Sequence, residues 1–128
     1  MIGSFVLRSA FNIAGVTASL VALVYPAAAL AVGVQTGVIL DVSVGKTYAG
    51  GYVSFKIIGS TPTGKPACAV ADTNMWGLKF ADNNIMNNAF YAALLSAQAS
   101  GLTVTVAGTG TCTVVPWLED ADSITVSK

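Results

Sequence analysis

Cys68 and Cys112 are the only cysteines in a chain that contains no histidine. A reactive thiol needs a nearby base or a Cys-x-x-Cys spacing, and neither is present. In an oxidising compartment two lone cysteines bond to each other instead, which predicts a structural disulfide between Cys68 and Cys112. Without histidine the chain also lacks the commonest general base and the commonest metal ligand. The remaining candidates are carboxylates. Glu119, Asp120 and Asp122 stand close together near the C-terminus, as an acid–base pair or a calcium loop would. They lack the regular donor spacing and the glycine of an EF-hand loop, so they read as a solvated turn before a last strand. Asp41 reads as an outward-facing, solvated strand residue. No serine elbow, phosphate loop or dinucleotide fingerprint occurs downstream of residue 31. The expectation is a protein that is not an enzyme, with no catalytic residue, no cofactor and no metal.

Two aromatic residues invite a different chemistry. Tyr48 lies in a glycine-bounded segment and Trp117 follows Pro116. Rings of this kind either stack on the apolar faces of sugars or lie as lids on a small core. Nucleic acid is not an expected partner. Its binding draws most of its affinity from Lys and Arg on phosphates. Beyond residue 31 the lysines at 46, 56, 65, 79 and 128 face an excess of acids, with no basic stripe.

The N-terminus carries Arg8, an apolar run from Phe11 to Val24, a break at Pro26, and then Ala29-Leu30-Ala31. That is the layout of a secretory signal, with small residues where a peptidase reads. Residues 1–31 are therefore expected to be a hydrophobic signal helix removed on export to a periplasmic or extracellular space. Residues 32–128 then form one domain. The competing reading keeps Ser9–Gly33 as a membrane anchor, for which it is long enough. Membrane contact is expected only in that case.

The elements that must position these residues follow from periodicity. Val34–Val44 is rich in β-branched residues, with Leu40, Val42 and Val44 expected on one face and Asp41 and Ser43 on the other. A hairpin connection at 45–51 leads to an alternating strand over Tyr52–Ile58. A turn-rich stretch then reaches Cys68, and a short strand covers Trp76–Phe80. The period then changes: Met86, Phe90, Ala93, Leu94 and Ala97 recur at helical spacing, with Asp82, Asn83 or Asn84 as the cap and Gly101 as the stop. Strands follow over Leu102–Ala107 and Ser123–Ser127. Three strands, a helix and two strands is the succession of a five-stranded OB-type barrel, mainly β, with its helix between strands 3 and 4. An open sheet with the helix on one face is the alternative. A Cys68–Cys112 bond would tie the two sides of the helix together and close a loop of about 45 residues, stabilising the fold by up to roughly 4 kcal/mol.

A longer pattern runs through the chain: Cys68, then Trp76-Gly77 and Phe80, Phe90-Tyr91 and Leu94-Leu95, Ser100-Gly101-Leu102-Thr103-Val104, and Gly108-Thr109-Gly110-Thr111-Cys112. It resembles the B subunits of subtilase-cytotoxin type and related small secreted bacterial proteins, over about Thr36 to Val126. The resemblance implies an OB-type barrel, a Cys68–Cys112 bridge and a ring of five identical subunits. In toxin members that ring binds sialylated glycans on host cells and carries a separate catalytic subunit. A hydroxyl residue before a Gly-Val pair in the first strand contacts the sugar there. Thr36-Gly37-Val38 matches it, so the resemblance implies Thr36 as the ligand-binding residue. The chain departs from the pattern at Ala107, where toxin relatives carry an aromatic side chain. Two functions are thus expected in competition. One is an exported glycan- or cell-surface-binding module; the other is a homo-oligomeric scaffold of the envelope or extracellular space.

Overall fold

A computed structural model describes residues 31–80 and 84–128. Residues 1–30, which carry most of the signal reading, and the possible caps Asp82 and Asn83 lie outside the described residues. The elements are β1 (Val34–Gly45), β2 (Tyr52–Gly59), β3 (Met75–Lys79), α1 (Ile85–Ser100), β4 (Thr103–Gly108) and β5 (Glu119–Ser127). The strands close into a ring in the order β1-β2-β3-β5-β4, with β4 returning to β1. Every pairing is antiparallel except β3 with β5. The ring, not the open sheet, is therefore the architecture. Closure leaves fewer free strand edges than an open sheet of the same strands would.

Alternation fills the interior. Val53, Phe55 and Ile57 of β2, Trp76 and Leu78 of β3, and Val104 and Val106 of β4 all point inward and are buried. β1 departs from its expected faces. A register shift between Ile39 and Asp41 moves the inward set to Ile39 and Val42, leaving Leu40 half exposed at 52%. One extra residue reverses every face beyond it.

The helix plugs the ring through Phe90, Leu94 and Ala97, and Phe90 meets Phe55 at 6.2 Å between ring centres. Asn84 caps its start by accepting the Met86 N–H at 2.9 Å. Gly101 closes it in the left-handed region at φ 62°, where a Cβ is disfavoured. Met86, expected on the core face, stays 71% exposed because the first turn lies beyond the packed interior.

A second, smaller cluster lies outside the ring. Val114, Val115 and Leu118 from the β4–β5 loop pack with Tyr48, Tyr52, Ala71 and Met75. The Cys68–Cys112 disulfide joins the β2–β3 loop to this β4–β5 loop, with Cα atoms 6.1 Å apart. It joins the segments on either side of the helix in the chain, as expected, but lies away from the helix itself. The helix packs on β1 and β5, whereas the bridged loops cover β2 and β3. Among the described residues, no helix is long and apolar enough to cross a membrane.

Candidate functional site

The reading of Glu119 and Asp120 as a solvated turn is overturned, since both are buried at the start of β5. Glu119 stands opposite Trp76 in the parallel β3–β5 ladder. Its Oε1 accepts the Gly33 N–H at 2.8 Å and the Gly110 N–H at 3.0 Å. A Cβ at Gly33 or Gly108 would collide with its carboxylate, so these glycines make the space it fills. Lys65 Nζ lies 3.7 Å from Oε2, 3.2 Å over the Trp76 ring, and donates to the Met75 carbonyl at 3.1 Å. Burial pushes the Lys65 ammonium down to about 8, against the pull of the Glu119 carboxylate. Trp76 Nε1 donates to Gln35 Oε1 at 2.9 Å, and the Gln35 amide donates to the Ile57 and Ser60 carbonyls and to Asn74 Oδ1. This network ties Gln35, Trp76, Lys65 and Glu119 together at the inside of the ring.

Asp120 serves the opposite side. Its carboxylate accepts the N–H groups of Thr113 (2.8 Å) and Val114 (3.0 Å) and the hydroxyls of Thr111 and Thr113. Every bond fixes the β4–β5 loop around Cys112. Asp41 and Asp122 are exposed, as a solvated reading requires.

Among the described residues, two surface clusters match residues singled out in the sequence. Thr36 is exposed on β1, and its hydroxyl pairs with that of Thr105 at 2.8 Å. Its N–H donates to Ser60 Oγ at 2.9 Å. Register places Thr125 beside Thr105, and Thr103 and Ser127 beside Val38. The outer face of β1, β4 and β5 therefore carries the hydroxyls of Thr36, Thr103, Thr105, Ser123, Thr125 and Ser127 interspersed with Val34, Val38 and Ala107, without a charged side chain among these residues. Each hydroxyl offers one donor and two acceptor positions, so the Thr36–Thr105 pair retains capacity toward solvent. Ala107 lies opposite Val34 and beside Ser123, which leaves no ring at that end.

The second feature is the pair suspected from sequence. Tyr48 and Trp117 touch edge to face at 5.2 Å, and Tyr52 adjoins Tyr48 at 5.7 Å. They stand at the hairpin end of β1, where Gly45 faces Tyr52. Thr36 lies toward the opposite end of the strand, so the structure does not bring it together with the aromatic pair. Beside them Asp72 is ion-paired with Lys56. The Lys56 bond and the Asn74 N–H hold the Asp72 carboxyl below the usual carboxylate range. An open groove of about 320 Å³ between α1 and β5 is lined by Met86, Phe90, Asp122 and Ile124. Comparison with known proteins finds no matching family model, no matching curated protein and no matching solved structure.

Proposed function

We propose that this chain is an exported, non-catalytic binding module of OB type that recognises a glycan on a cell surface through the outer face around Thr36. The observation that carries the reading is the exposed Thr36–Thr105 hydroxyl pair, extended by Ser60 and Thr125. Sugar hydroxyls both donate and accept, and an uncharged set of side-chain hydroxyls matches them in kind. The visible polar groups support binding over catalysis: Glu119, Lys65 and Asp120 are spent inside the fold. The disulfide fits life in an oxidising compartment, and residues 1–31 supply the export signal. The resemblance to toxin B subunits adds a ring of five subunits and Thr36 as the sugar contact.

A second reading, a homo-oligomeric scaffold, is favoured by the exposed Leu40 and Ile58 on the outer surface of β1 and β2. Apolar side chains left on a surface suit contact between copies. A glycan array probed with the purified protein, with its mass measured in solution, separates the two readings. Binding that is lost in Thr36→Val while the fold and mass stay constant supports the module. An oligomer with no glycan bound supports the scaffold, and a monomer with no glycan bound defeats both.

A further inference from the structure

We infer that Trp117, with Tyr48 set against it at a right angle, forms a second sugar subsite in which the exposed indole stacks on the apolar face of a pyranose ring, at the end of the barrel away from Thr36. The inference rests on the carbohydrate reading above but not on Thr36.

Trp117 is 41% exposed, yet its neighbours Val115 and Leu118 are almost fully buried. The loop therefore has side chains to bury and leaves its largest one outside. A tight turn accounts for this. The Leu118 N–H donates to the Val115 carbonyl at 3.0 Å, which puts Pro116 and Trp117 at the tip. Proline pre-sets the backbone at the first of those two positions. The tip is also anchored from the side, since the Ala71 N–H donates to the Trp117 carbonyl at 3.3 Å. Just before it, Asp120 fixes Thr113 and Val114 and the disulfide fixes Cys112.

The partner ring is held as firmly. Tyr48 packs between Trp117 and Tyr52. The Tyr52 ring lies across Gly45, where a Cβ would come within 2.6 Å of its hydroxyl oxygen. A rigid ring pair loses little entropy on binding. It lies on the β1–β2 and β4–β5 loops, where OB-type barrels present ligand surfaces. Stacked nucleobases would need a basic groove to track phosphates. Here Lys56 is paired with Asp72 and Lys65 with Glu119, and the exposed Lys46 in the Tyr48 loop and Lys79 opposite Tyr52 are two cations, too few to line such a groove. A sugar's C–H face with neutral hydroxyls needs no such charge.

The test uses the chain's two tryptophans, Trp76 and Trp117. Trp76 is fully buried, so iodide reaches only Trp117 in the folded protein. Purified protein is titrated with oligosaccharides of glucose, galactose and N-acetylglucosamine, with sialyllactose and with an oligothymidylate. The expected result is saturable protection of Trp117 from iodide by at least one oligosaccharide. Calorimetry should then show Trp117→Ala and Tyr48→Ala weakening that sugar about tenfold, and Trp117→Phe retaining most of the affinity. Sugar binding that responds to Thr36→Val but not to Trp117→Ala overturns the subsite and leaves the function above standing. No sugar binding at all overturns both, and protection by oligothymidylate alone overturns the carbohydrate assignment. Iodide protection in the unaltered protein needs no variant to fold.

Discussion

The inside of the ring and the layer outside it are built from adjacent residues by different means. Glu119 and Asp120 are consecutive, so the strand sends their side chains to opposite faces. Glu119 closes the interior beneath Trp76, within a continuous apolar core that includes Phe55, Leu94 and Val106. Asp120 gathers the Cys112–Val114 loop over Tyr52 and Met75, where only Val114, Val115 and Leu118 form the buried centre. The interior is held by burial from every strand. The outer layer is small and depends on a cross-link and one carboxylate. That layer carries Trp117, so the part of the molecule that displays the aromatic pair is also the part with the least core of its own.

The contrast can be broken from either side. Glu119→Ala should be the most damaging change, costing about 3 to 5 kcal/mol, because it leaves Lys65 buried and unpaired; chemical denaturation monitored at Trp76 would read it. Replacing Cys68 and Cys112 together by serine should cost about 3 to 4 kcal/mol for a closed loop of this length. Here the folded variant should keep the Trp76 emission of a buried indole, since the ring does not depend on the bridge. Asp120→Ala should cost about 2 to 3 kcal/mol, and it should speed proteolysis within the 112–118 loop before any change at Trp76. A rate that matches global unfolding would show the two regions to be one cooperative unit.

The smallest effect is on pH dependence. Lys65 keeps its proton only up to about pH 8 in the fold, against 10.5 ordinarily. The unfolded chain therefore binds more protons between those values, and stability should rise as pH climbs from about 8 toward 10.5. Lys65's penalty is fully present below that window. Denaturation midpoints across the window should rise in the natural chain and lose this rise in Lys65→Met.

Much of the interior was legible in the sequence. Asn84, Gly101 and the spacing of Phe90, Leu94 and Ala97 specify the helix, and alternation specifies β2 and β4, because these signals are local. The bulge at Ile39 was not legible, since the alternation around it admits either face until β2 sets the register. The opening of β5 was missed for a similar reason. Two acids beside a turn are ordinarily solvated, and only the arrival of Gly33, Gly110, Thr113 and Val114 around them makes burial tolerable. The glycines at 108 and 110 and the threonines at 109, 111 and 113 were the available signal of a donor-rich loop wrapping an acid. Tyr48 and Trp117 were singled out separately, as lids or as stacking surfaces. Their contact with each other required knowing that the first and last loops meet.

Hydrogen–deuterium exchange of the oxidised and reduced protein tests the division between ring and outer layer most directly. On reduction, the amides of Val114 and Leu118 should lose protection while those of Phe55, Trp76 and Val104 keep theirs. Equal loss throughout, or no loss at Val114 and Leu118, would contradict it.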